Sequence, residues 1–339
     1  MQILSVSRSV VRAFAKLSRH LRDRGTALAI VLLVVLSSAG LLLRAESPQA
    51  VGTWASLGNT PESRVGAAAV GLPDGRTLIT GGSVGGAATD SVVMFDPADG
   101  SFTAWGNLMT PRVGHTATLL DDGRVLIAGG TVGTLISADV ELFIVGAHGS
   151  VTGGQMTQPR TGHAAAKLVD GRVLIAGGTG TDGVLQNAEI LDPASGTTVP
   201  TILPMLSART RASATTLIDG RVLIAGGNDG TQDLASAELF NPWSQIFAGT
   251  STTLSVPRSG HAAVLLLHNN SVLIAGGSSN GVPQRASDLF LPAQFPDPFS
   301  YGMGSFAPTG SLITARSGAV ASPHIEGYAA TMGGGAPEA

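Results

Sequence analysis

A short apolar run closed by a pair of glycines recurs along this chain. The pairs begin at Gly81, Gly129, Gly177, Gly226, Gly276 and Gly333, in steps of 48, 48, 49, 50 and 57 residues. Val-Leu-Ile-Ala stands before the pair at 125–128, 173–176 and 222–225. Apolar residues in unbroken series, without alternation, predict a strand buried on both faces. Seven residues before each pair sits Asp74, Asp122, Asp170, Asp219, Asn269 or Glu326. The next residue is Gly75, Gly123, Gly171, Gly220 or Gly327, with Asn270 as the exception. Asp-Gly between apolar runs predicts a hairpin, and a type I′ turn requires positive φ there.

The other strands fall in the same register. Before each turn a strand opens on Arg-x-Gly-His at Arg112–His115, Arg160–His163 and Arg258–His261, while Arg64 and Arg316 open theirs without the histidine. Small residues such as Ala164-Ala165-Ala166 come next. They suit innermost strands, where wedge-shaped sheets converge on an axis. A third strand passes through Val93, Glu141, Glu189, Glu238 and Asp288, each at one fixed place in the repeat. The fourth is marked by Phe102 and Trp105 in the first unit. It leads to an apolar residue four before the next arginine: Leu108, Met156, Met205, Leu254 and Leu312. Four short antiparallel strands per period, about six times over, predict an all-β six-bladed β-propeller. Trp54 lies ten residues before Arg64, as Phe102 does before Arg112, so residues 51–58 read as a fourth strand that completes the last blade. The third strand of that blade would fall near position 345 and the sequence ends at Ala339, so either the sequence is truncated or the last blade is incomplete.

The first fifty residues carry a different pattern. Ala27–Leu43 contains no charge and lies after six basic residues between Arg8 and Arg24. A basic flank before an apolar stretch keeps the N-terminus cytoplasmic and carries the downstream chain across the membrane. Two readings remain open: a cleaved signal peptide with a small-residue site at Ser37-Ser38-Ala39, or an uncleaved signal anchor. The expected organisation is a leader with an apolar export or anchor helix over 1–44, a linker over 45–50 and the propeller over 51–339, secreted or periplasmic if cleaved and membrane-anchored if not.

Charge and composition narrow the function. From residue 45 onward there are 13 Lys+Arg against 22 Asp+Glu. An acidic body opposes sequence-independent nucleic-acid binding, so no nucleic-acid partner is expected. There is no cysteine, which removes disulfides and thiolate chemistry.

Taken as a set, the Gly-Gly after a short apolar strand, the Arg-x-Gly-His opening and the third strand of the type Glu238-Leu239-Phe240-Asn241-Pro242 resemble the kelch repeat. The resemblance is nearest to exported bacterial kelch proteins, in a superfamily with the galactose oxidase central domain. It departs where Ile-Ala replaces the usual aromatic before the glycines. The copper-radical chemistry of that superfamily needs a cysteine cross-linked to tyrosine and is excluded here.

The repeated His115, His163 and His261 occupy equivalent places and are read as backbone-binding scaffold. The repeated arginines and glutamates are read as ion pairs, because a charge inside a buried strand needs a partner. No catalytic, metal or cofactor residue is assigned. Candidate ligand residues are those that break the repeat on the face where the loops between strands two and three emerge: Asp182, Asn228, Asp229 and Asn280. Arg211 joins them, since Arg209-Thr210-Arg211 puts a long cation where other blades have glycine. The expected function is a non-catalytic extracytoplasmic module that binds a glycan or protein partner. The alternative is a carbohydrate-active enzyme, sugar mutarotase-like, working in the central pocket.

Overall fold

The computed structural model describes residues 62–267, 269–293, 303–318, 320–323 and 329–332. The predicted export helix and the strand expected at 51–58 lie outside these residues. Within them the chain is all β, and its one helical element is the 3₁₀ turn Val145–Ala147.

Five four-stranded antiparallel sheets succeed one another in sequence. The third shows the plan: Ala164–Lys167, Val173–Ala176, Ala188–Asp192 and Thr197–Pro200 run from inside to outside in chain order. A single parallel pairing of Gly149 with Asn107 joins the outer strands of the first two sheets. A sixth pair of strands, Val320–Pro323 and Ala329–Met332, comes after the fifth sheet. The innermost strands stand side by side in order, and Val320–Pro323 packs against both Ala262–Leu266 and Ala68–Gly71. The ring of inner strands therefore closes.

The unbroken apolar pattern of the second strand has its explanation here. Val173 and Ile175 enter the core shared with the second sheet, while Leu174 and Ala176 enter the core shared with the fourth. Both pleats are buried, so no position is left for a polar residue. The apolar residues that precede each opening arginine, Leu108, Met156, Met205, Leu254 and Leu312, are all buried.

The Asp-Gly turns form hairpins as expected, but not of type I′. Gly75, Gly123, Gly171 and Gly220 have positive φ and the aspartates before them do not. The N–H of Gly75 donates to the Leu72 carbonyl at 3.0 Å, and that of Leu72 donates to the Arg76 carbonyl at 2.8 Å. This is a type I turn closed by one left-handed residue. The aspartate is free to act as an acceptor: Asp74 Oδ1 takes the N–H of Arg76 at 3.1 Å.

The glycine pairs fix one blade to the next. The N–H of Gly178 donates to the Arg209 carbonyl of the following blade at 2.9 Å. A Cβ at Gly177 would lie 2.2 Å from that same carbonyl oxygen, and one at Gly178 would lie 2.8 Å from His163 Cβ in its own blade. One glycine yields to the neighbour and the other to the home blade.

Candidate functional site

The residue two places before each inner strand is Gly66, Gly114, Gly162, Arg211, Gly260 or Gly318. All six are left-handed, with φ of 66°, 70°, 62°, 55°, 59° and 66°. Each N–H from Gly114 onward donates to the carbonyl of the preceding member, at 2.8, 2.8, 2.6, 2.8 and 2.7 Å. A belt of backbone hydrogen bonds thus runs around one mouth of the channel. Glycine suits it because a Cβ at Gly66 would lie 2.6 Å from Val113 Cγ1, and one at Gly114 2.5 Å from Thr161 Oγ1. Arg211 is the non-glycine member. Its guanidinium covers the next member, since a Cβ at Gly260 would lie 2.6 Å from Arg211 Nη2.

The loops between second and third strands open on this same face. Thr161 bridges Thr179, Thr210 bridges Asn228 and Ser259 bridges Ser278, tying each belt segment to the loop after its glycine pair. In the fourth blade Asn228 Nδ2 donates to Asp233 Oδ1 at 3.0 Å. The other oxygen, Asp233 Oδ2, accepts the Asn280 N–H of the fifth blade at 2.7 Å. Asp233 is therefore a clasp between two of the residues singled out from the sequence. Asp229 Oδ1 accepts the Thr231 hydroxyl at 2.6 Å and the N–H groups of Thr231 and Gln232 at 2.8 and 2.9 Å. These bonds, the Thr231 hydroxyl first, hold its carboxyl down at about 2. Asp229 is thus committed to shaping its own loop. Asp182 stands exposed at the tip of the third blade's hairpin, and Val184 of that hairpin faces Gly230, whose Cβ would lie 3.3 Å from Val184 Cγ2. Arg211, Asn228, Asp229 and Asn280 thus belong to the fourth and fifth blades, and the hairpin of Asp182 adjoins them in one arc of the face.

The polar residues that keep the repeat are used elsewhere. Arg160 and Glu189 form a buried ion pair at 2.6 Å, Arg209 and Glu238 one at 2.5 Å, and Arg258 and Asp288 one at 3.0 Å. Arg112 pairs with Glu141 in the same way. His115, His163 and His261 are buried, and each Nε2 lies 2.9 Å from a hydroxyl of the preceding blade: Thr80, Thr116 and Ser213. Burial, with the neighbouring arginine cations, pushes all three imidazoles down to about 3. They are neutral joints between blades. Among the described residues no group of three or more His, Asp or Glu side chains is placed to hold a metal ion.

Sequence reading singled out four members of the arc and Asp182 beside it, but not the role of Asp233, whose acceptor bond spans 47 residues. The belt left a signal in the sequence, the glycine of each Arg-x-Gly.

A closed ring of inner strands and loops converging on its mouth define the chain as a β-propeller. The solved structure of YjhT has this fold: it matches with a TM-score of 0.67 at 14% identity, over 83% of this chain and 93% of that one. No family model and no curated protein sequence matches the chain.

Proposed function

We propose that this chain is a six-bladed, kelch-type propeller, exported or tethered outside the cytoplasm, that binds a glycan or protein partner without transforming it. Residues 51–58 complete the last blade in this reading. The observation that carries it is a division of labour. Polar residues that keep the repeat are consumed in ion pairs and joints, and the repeat-breaking Arg211, Asn228, Asp233 and Asn280 gather on one arc of the mouth face. The belt's N–H and carbonyl groups bind one another, so recognition falls to side chains of the arc. The enzyme reading needs acid and base groups converging on one point, and the histidines nearest the mouth are buried and neutral.

The test is a glycan-array screen of the purified chain beside its Arg211→Gly/Asn280→Ala variant. A ligand held by the parent, lost by a variant of unchanged fold and recovered chemically intact supports the reading. Equal retention by the variant, or conversion of the ligand observed by NMR, overturns it. Export rests on the leader and on Ala27–Leu43, both outside the described residues; among the described residues no helix is long and apolar enough to cross a membrane. A periplasm-active reporter fused after residue 60 is expected to be active outside the cytoplasm, and activity confined to the cytoplasm refutes export.

A further inference from the structure

We infer that Arg211 anchors the carboxylate of a singly charged acidic saccharide at the channel mouth, a specification that rests on the ligand-binding reading above. Arg211 is exposed, and among the described residues its guanidinium has neither an ion-pair nor a hydrogen-bond partner. Every buried arginine of the repeat has both. The residue is also strained, because φ of 55° disfavours any side chain with a Cβ. Strain without an internal partner marks a residue held for an external one.

The chemistry of the ligand is set by the surroundings of this cation. The belt cannot bind an anion through its backbone, since the N–H groups from Gly114 to Gly318 already donate along it. A guanidinium presents a planar fork that fits a carboxylate with two parallel bonds. The hydroxyls of the neighbouring belt segments serve the scaffold: those of Thr161 and Thr210 donate to the carbonyls of Gly114 and Gly162 at 3.4 Å, and Ser259 is buried. Farther out stands the exposed amide of Asn280, with a donor and an acceptor suited to the hydroxyls of a sugar, while that of Asn228 is engaged with Asp233 and the Gly230 N–H.

Charge then limits the ligand to one negative group. Asp229 and Asp233 lie in the outer loops of the same arc, Asp182 stands at the adjoining hairpin tip, and the whole body carries 22 acidic against 13 basic residues. A sulfated glycan or an acidic peptide would set further negative charges against these carboxylates. One carboxylate on a hydroxyl-rich body avoids that repulsion: its charge stays inward on Arg211 and its hydroxyls extend over the aspartates and asparagines.

The experiment is an array printed with oligouronates, their methyl esters, neutral oligosaccharides of equal length, sulfated glycans and acidic peptides. It is read with the full chain and with Arg211→Gly and Arg211→Lys. The expected result is binding to a carboxylated probe that weakens at least about tenfold on esterification and in Arg211→Gly, and less in Arg211→Lys, which keeps the charge without the fork. Melting of Arg211→Gly at or above the parent temperature separates lost binding from lost fold. Preference for sulfated glycans or acidic peptides, or no signal on any carboxylated probe, overturns the inference. A neutral glycan bound equally by the ester and by Arg211→Gly also overturns it. If that binding still depends on Asn280, the mouth-face reading survives alone; if no arc variant affects it, both fail.

Discussion

At the scale of single residues the chain keeps two kinds of arginine. Arg160 is fully buried; its Nη1 donates to the Gly177 carbonyl at 2.8 Å and its Nη2 meets Glu189 at 2.6 Å. Burial pulls its pKa below the ordinary value and Glu189 opposes the shift. Glu189→Ala strands that cation and is expected to cost about 3–5 kcal/mol in urea unfolding. The turn pair of Asp170 and Arg172 is just as short, at 2.6 Å, but about two-fifths exposed on each side. Asp170→Ala is expected to cost about 1 kcal/mol or less, most of it the lost bond to the Arg172 N–H. Near-equal losses from the two substitutions would contradict this account. Arg211 is the opposite case. Arg211→Gly relieves a left-handed backbone and loses no internal partner, so it is expected to raise stability by about 1 kcal/mol in thermal or urea melts. A lower melting temperature would place Arg211 among the scaffold residues.

At the scale of elements, the glycines divide by what surrounds them. Gly177 and Gly123 both have positive φ, at 63° and 81°. A Cβ at Gly177 collides with the backbone of the next blade, and one at Gly123 meets nothing within 4 Å. Gly123→Ala is expected to cost about 1 kcal/mol, the conformational term alone. Gly177→Ala is expected to cost at least about 2 kcal/mol, because two blades must separate to admit the methyl group. Denaturant midpoints of the two variants test the ordering. The strands and turns were legible in the sequence because each depends on neighbours within one repeat. The turn type was not: Asp-Gly is compatible with both geometries, and the N–H of Arg124 meeting Asp122 Oδ1 at 3.0 Å is seen only in the folded turn.

At the scale of the whole molecule, three interblade joints depend on neutral imidazoles. His115, His163 and His261 hold their protons only near pH 3 when folded, against an unfolded value near 6.5. Between those limits the unfolded chain binds more protons than the native one, so stability falls as pH falls below about 6.5. Each histidine contributes up to about 1.4 kcal/mol per pH unit to that slope. Urea midpoints measured from pH 7 to pH 4 are expected to decline steadily. A flat profile would mean that the joints accept protons while folded. The same ring carries the arc of the mouth face, where Asp233 reaches Asn280 across a blade boundary.

The sequence by itself determined the period, the strands, the buried arginine–acid pairs and the place where Arg211 breaks the pattern. Those features are written in local spacing, and repetition states each of them several times. Tertiary structure alone decided that the glycine of Arg-x-Gly forms a belt, that Asp229 serves its own loop and that Asp233 clasps Asn228 to Asn280. The belt bonds and the Asp233–Asn280 bond join residues about one repeat apart in the chain, and the short-range bonds of Asp229 and Asn228 lie in an irregular loop with no register from which a partner could be read. Closing the ring brings their blades edge to edge, and only then do the loops that depart from the repeat share one face.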